Sequence, residues 1–401
     1  MTTTSPHPIQ SLLLSRAFTS LVIFLALATT ALAQDAAKKP EPDVIVFSNG
    51  DQLTGTVERG AGDSVVFKSD MAGEITVPFS KIKELRAHGQ FALLRKDTKT
   101  PTTNVQEGTV GYADSKVTLS SSAGTLESVE PKNVDFIIDQ PTYDKQVLGH
   151  VPLWGGWHGN VTGGATFVRS TQNGSTFTAS AALIRAIPLV TYLPPKSKSI
   201  LNFTETYGKL TQPVFPQPDP AHPLPDTVIK TNIFAAGFEQ DQYFSPRFYG
   251  LGHVNFNHDY SQGLDLQQVY GGGIGWTVFQ QPKQELDLKA DVHYEKQHFA
   301  QPADPTTTPA TPDQNLIGST ISELYHRNLP KGIVFNESAD ALPAFNNSNA
   351  YSADATAGIV LPVYKRLGAN FTTTDNFLNN PAPGFKKNSF QFVLGVTYTL
   401  P

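Results

Sequence analysis

KNSFQFVLGVTYTLP, from Lys387 to Pro401, closes the chain. Phe390, Phe392, Leu394, Val396, Tyr398 and Leu400 are apolar. Gln391, Gly395, Thr397 and Thr399 between them are small or polar, with Val393 the one exception. A period of two over this length is a β-strand with one greasy and one wet face. A chain ending on such a strand fits a barrel whose last strand closes onto its first and whose apolar face meets lipid.

Upstream, the same texture runs back to Trp154. Six strand-like segments come first: Trp157–Arg169, Thr176–Ile187, Ser199–Leu210, Val228–Tyr243, Arg247–Tyr260 and Leu264–Phe279. Gln284–Phe299, Asn315–Asn328, Gly332–Phe345, Ala350–Tyr364, Leu367–Phe377 and Asn388–Leu400 bring the total to twelve. Most exceed the roughly 5–6 residues of a soluble strand and reach the roughly 9–11 of a tilted membrane crossing. Gln284–Phe299 alternates most cleanly. Leu286, Leu288, Ala290, Val292 and Tyr294 share one face, opposite Glu285, Asp287, Lys289, Asp291, His293 and Glu295. His158 and Asn160 on the first segment, and His253, Asn255, Asn257 and Asp259 on the fifth, repeat that polar face. All twelve polar residues are expected to line a hydrated lumen. Asn315–Asn328 lacks a convincing apolar face. Connections alternate between tight turns and long, Pro-rich loops, as in an up-and-down barrel with both ends in the periplasm.

Charged residues are 16% of the chain, below the roughly 25% of soluble domains, and 31 Gly and 30 Pro favour strands and turns over helices. The absence of cysteine excludes disulfides and thiolate chemistry. A net charge of −5 does not suggest nucleic acid. Arg16, an apolar run over Ala17–Thr30 and the small-x-small site Ala31-Leu32-Ala33 read as a secretory signal. The expected organisation is a signal at 1–33, a linker at 34–42, β-modules over 43–139, a second linker at 140–153 and the barrel at 154–401. The location implied is the outer membrane of a Gram-negative-type cell, with the modules in the periplasm.

The stretch from Asp43 to Leu85 breaks into short strands punctuated by Asn49-Gly50, Gly60, Gly62 and Gly73, the pattern of a small SH3-like barrel. NGDQLTGTV followed by SKIKEL resembles the Sm-like fold. Gln106–Ile138 aligns with it at an offset of about 53 residues, Gly108 standing where Gly55 does, which suggests copies at 43–88 and 89–139. No aromatic platform accompanies the basic residues, so a scaffold role is expected and RNA is not.

VNFNHDYSQGLDLQQVYGGGIGWTVFQ, Val254 to Gln280, carries an aromatic strand, an Asp, a turn, an L-x-L strand and a Gly-x-Gly-aromatic end. With Gln284–Phe299 and the closing Phe390–Leu400, it resembles the DUF481 family of salt-induced outer membrane proteins. The resemblance covers Trp157 to Leu400, implies a barrel and brings no catalytic residues. His258 and Ser261 are three apart and fall on opposite strand faces, so they make no nucleophile–base pair. GGGIGW precedes a turn into a strand and cradles no phosphate; its small residues are expected to relieve crowding inside the barrel.

The expectation is therefore a passive channel or envelope-maintenance protein with a narrow polar lumen, without enzyme activity, cofactor or metal. The alternative is a non-conducting anchor presenting the amino-terminal modules to a periplasmic protein partner. Its other partners would be outer-membrane lipids and the barrel-assembly machinery, which would read Phe390, Phe392, Leu394, Val396, Tyr398 and Leu400.

Overall fold

A computed structural model describes residues 41–96, 105–122, 124–149, 151–169, 173–212, 225–281, 283–301, 312–382 and 385–400. The expected signal segment lies outside the described residues. The chain divides into two compact units, Met1–Tyr143 and Asp144–Pro401.

In the first unit, β1 (Asp43–Phe47), β2 (Gln52–Ala61), β3 (Ser64–Ser69), β4 (Gly73–Pro78) and β5 (Ile82–Arg95) form one half. β6 (Glu107–Ala113), β7 (Lys116–Ser121), β8 (Gly124–Val129) and β9 (Val134–Asp139) form the other. β2, β1, β5 and β9 pair in a ring, closing a small four-stranded barrel. The copies are physically equivalent where their glycines fall. A Cβ on Gly55 would run into the Lys68 carbonyl, and one on Gly108 into that of Ser120. The halves share one strand: β5 pairs with β1 through Ile82–Arg86 and with β9 through Phe91–Arg95. They also share one core, with Ile45, Phe67 and Leu85 packed in the same cluster as Val117, Leu119 and Ile137. Asp43 ties the start of this unit down. Its Oδ2 accepts from Val57 N and its Oδ1 from His88 N, each at 2.7 Å.

The second unit is all antiparallel. β10 (His158–Arg169), β11 (Asn173–Ile187), β12 (Ser197–Gln212), β13 (Thr227–Tyr243), β14 (Phe248–Asp259), β15 (Leu264–Gln281) and β16 (Gln284–Phe299) follow in order. β17 (Gln314–Gly318) and β18 (Ile321–Asn328) both pair with β16 and together fill one position, interrupted at Ser319-Thr320. β19 (Val334–Pro343), β20 (Tyr351–Tyr364), β21 (Leu367–Leu378) and β22 (Asn388–Thr399) complete the sheet. β22 pairs back onto β10, from Asn160 opposite Thr399 to Gly163 opposite Val396. The result is a closed barrel of twelve strand positions with no open edge, the one sheet topology that satisfies its backbone in lipid.

Cross-strand partners share a face, so the register sorts every strand. Leu201 faces Phe238, Phe238 faces Val254, Val254 faces Tyr270 and Tyr270 faces Tyr294, all outside. The outer face leaves large apolar side chains uncovered: Val292 is 60% exposed and Phe392 58%. Buried polar residues stand opposite them on the inside, including Thr162, Thr206, Asp287 and Thr397. A continuous apolar belt outside and polar burial inside inverts the soluble pattern and matches a membrane barrel. The β17–β18 position explains its unclear periodicity. It breaks mid-strand, and after the break Glu323 and Arg327 alternate on the outer face with Ile321 and Tyr325.

Candidate functional site: the polar lumen

The short-turn end is where β12, β16 and β19 begin, and the long-loop end is opposite. Near the short-turn end, neighbouring inner-face positions bring six charges together. Lys198 Nζ lies 3.3 Å from Glu285 Oε1 and 3.6 Å from Asp287 Oδ2. Lys289 Nζ pairs with Glu239. Asp241, directly opposite Lys198 across the ladder, is fully buried. Neither of its carboxylate oxygens has a hydrogen-bond partner among the described residues, nor does Asp287 Oδ1. Tyr249 is also fully buried, its ring 4.7 Å from that of Tyr243.

Above this layer lies a hydrogen-bonded network. Asp291 is its hub: Oδ2 meets His253 Nε2 at 2.5 Å and Oδ1 meets His293 Nδ1 at 2.9 Å. Oδ1 also accepts from Thr320 N at 2.6 Å, and Ser319 Oγ donates to the Asp291 carbonyl at 2.7 Å. Asn255 Nδ2 lies 3.0 Å from His253 Nδ1, assigning the Nε2–H tautomer to His253. The network continues as Asn257 donates to Gln267 (2.8 Å), and Gln267 and Gln297 donate to Glu295 Oε1 (2.5 and 2.6 Å). At the strand break Asp291 N still donates to the Thr320 carbonyl (3.1 Å), but Thr320 N turns to the Asp291 carboxylate and Ser319 Oγ takes the Asp291 carbonyl in place of the ladder partner.

Small residues make room for these rings. Gly271 lies on the inner rung between His253 and His293. A Cβ there would collide with His253 Nε2 and come within 2.8 Å of His293 Cβ. The Gly271–Gly273 run therefore serves close packing inside the barrel, and no phosphate-binding turn is present there.

Asp259 closes this side near the long-loop end, its Oδ1 accepting from Ser261 N (2.8 Å) and Ser261 Oγ (2.5 Å). Ser261 is thereby held away from His258, whose Nδ1 sits 2.6 Å from the Asp265 carbonyl. Thr320 Oγ1 approaches His293 at 3.1 Å, but on the same Nδ1 that faces Asp291. The other ring nitrogen, Nε2, lies 3.8 Å from Glu295 Oε2, beyond hydrogen-bond distance, so no nucleophile–base–acid relay is assembled.

The remaining inner wall is different. β10–β12 and β20–β22 turn in Thr178, Thr206, Thr356, Asn370 and Thr374, with hydroxyl pairs Thr162–Thr397 at 2.7 Å and Thr178–Thr206 at 3.3 Å. A cavity of about 200 Å³ opens here, lined by Thr176, Thr178, Thr206, Thr231 and Gln391 together with Gly164, Ala165, Phe392, Val393 and Leu394. The lumen is therefore two-sided: a charged, interlocked wall over β13–β18 faces a wall of small hydroxyls. His253, Asn255, Asn257 and Asp259, and Glu285 through Glu295 at alternate positions, lie on the charged wall. His158 and Asn160 lie apart, at the start of β10. Alternation could not reveal the share taken by Ser319-Thr320, Gln267, Gln297 or the small residues of β15, because their roles depend on partners distant in sequence.

Residues 225–400 match a family model described as "Protein of unknown function, DUF481". No curated protein matches the chain. Among solved structures, the translocator domain of autotransporter NalP from Neisseria meningitidis is 11% identical (TM-score 0.30), covering 60% of this chain and 87% of that one. The transport unit of autotransporter AIDA-I from Escherichia coli is 11% identical (TM-score 0.29), with coverages of 65% and 96%. BamA from Haemophilus ducreyi lacking POTRA domains 1–3 is 10% identical (TM-score 0.20), with coverages of 94% and 78%. At these scores the structural likenesses carry no functional argument.

Proposed function

We propose that the barrel, whose residues 225–400 match the DUF481 family model, spans the outer membrane as a narrow passive channel for small polar solutes. The hydroxyl-lined wall around the cavity of about 200 Å³ carries this reading, since small neutral hydroxyls wet a path without trapping what passes. The charged wall narrows the lumen, consistent with twelve strands enclosing only modestly more space than the eight that side chains fill. The role is passive and not catalytic. The outward ladder of Phe390, Phe392, Leu394, Val396 and Tyr398 would serve the assembly machinery as well as lipid. The amino-terminal unit would act in the periplasm as an Sm- or SH3-like adaptor for a protein partner.

Conductance in planar bilayers tests the channel. Folded wild-type protein is expected to give discrete openings, and Thr178→Trp, which fills the cavity, is expected to reduce or abolish them. A folded wild-type barrel that never conducts overturns the channel reading. It would favour the second reading, an anchor for the amino-terminal unit, to which the interlocked β13–β18 wall lends support.

A further inference from the structure

The charged wall holds more negative charge than its own side chains neutralise. The short-turn layer has four carboxylates, on Glu239, Asp241, Glu285 and Asp287, against two lysines, Lys198 and Lys289. Asp259, Asp291 and Glu295 add three more above it. On β19 and β20, next to the β17–β18 position, Asp340 and Asp354 are direct cross-strand partners, both on the inner face. Each inner neighbour of this pair is neutral: Ser338 opposite Thr356 on one side, Leu342 opposite Ser352 on the other. Like charges directly opposite each other destabilise a ladder. Among the described residues, Lys198 and Lys289 are the only inward-facing lysines, and no arginine faces inward.

A second observation shows that this surplus is unmet. Asp241 is fully enclosed, and neither of its oxygens receives a hydrogen bond; Asp287 Oδ1 and Asp259 Oδ2 are in the same state. Lys198 lies close to Asp241 and Asp287 but donates no hydrogen bond to these oxygens, and a buried carboxylate oxygen without a donor is unfavourable. Among the described residues no three His, Asp or Glu side chains converge closely enough to chelate a metal ion. A cation neutralising the wall would therefore keep its own water.

We infer that the lumen takes up small hydrated cations along its carboxylate wall and excludes anions. The inference deepens the channel reading and rests on it for permeation, but uptake itself does not require an open pore. Carboxylates focused in a narrow, low-dielectric tube raise the local concentration of counter-ions. The hydroxyl wall opposite supplies the path along which they move.

Two measurements on the intact folded protein decide it. In planar bilayers under a KCl gradient, the reversal potential is expected to report a cation-over-anion permeability ratio of about tenfold or more. The Asp340→Asn/Asp354→Asn variant is expected to lower that ratio. An unselective or anion-selective wild-type pore overturns the inference. If the barrel never conducts, the channel reading fails and the second measurement decides alone. Heat unfolding of the wild-type barrel, followed by the gel shift between folded and unfolded chain, is compared in NaCl, CaCl₂ and choline chloride at equal ionic strength. The small cations are expected to raise the midpoint above that in choline, whose bulk keeps it out of the wall. Coincident midpoints in a silent barrel overturn the inference.

Discussion

Replacing Asp291 by alanine tests whether the hub of the charged wall holds the barrel together. The carboxylate receives three hydrogen bonds, from His253 (2.5 Å), His293 (2.9 Å) and Thr320 N (2.6 Å), and its side chain is 5% exposed. Bonds to a charged acceptor contribute roughly 1.5–3 kcal/mol each. They do not add fully here, because water drawn into the truncated site can re-pair the imidazoles. The backbone N–H of Thr320 at the strand break is harder to re-pair, so the cost should approach that of breaking a buried pair, about 3–5 kcal/mol. Asp291→Asn keeps an acceptor oxygen of the same shape and should cost about half as much. Urea unfolding of the detergent-folded barrel, followed by intrinsic fluorescence, measures both. An alanine variant within about 0.5 kcal/mol of wild type, the range of an ordinary surface substitution, would refute the claim that the interrupted strand is held by this carboxylate.

Further tests follow from the same geometry. A Cβ on Gly275 would overlap the Tyr249 ring, so Gly275→Ala should lose about 1–3 kcal/mol by overpacking, whereas Tyr249→Phe should be neutral or stabilising because the hydroxyl has no partner; equal costs by urea unfolding would contradict this. In the amino-terminal unit, burial raises the Asp135 carboxyl above its ordinary 3.8, an effect partly offset by Lys96. Its stability contribution is full below that value and is lost as pH rises through the raised one. Asp135→Asn should therefore raise the melting point at pH 7 and lose that advantage near pH 3.5; a constant difference across pH would rule out ionisation as the cause. Truncation after Thr397 removes two of the four register pairs closing the barrel, Asn160–Thr399 and Val161–Tyr398. It should abolish insertion, and normal surface exposure of loops in the truncated chain would count against the seam.

Alternation placed most of the strands, though not the break between β17 and β18. Side chains on a strand point alternately to opposite faces, so Gln284–Phe299 and Asn388–Leu400 declared their lipid and lumen faces before any partner was known. Twelve such segments then imply closure, because an open edge cannot persist in hydrocarbon. Similarly, the repeat around Gly55 and Gly108 pointed to a duplication. Only the tertiary structure shows that these copies share β5 and a single core. Closure also brings Gln267, Gly271 and Thr320 to His253 and Asp291, at separations from which a local pattern carries no signal. The division of the lumen into a carboxylate wall and a hydroxyl wall arises the same way. Each strand by itself presents one polar face, and only the order of strands around the barrel decides which polar faces meet.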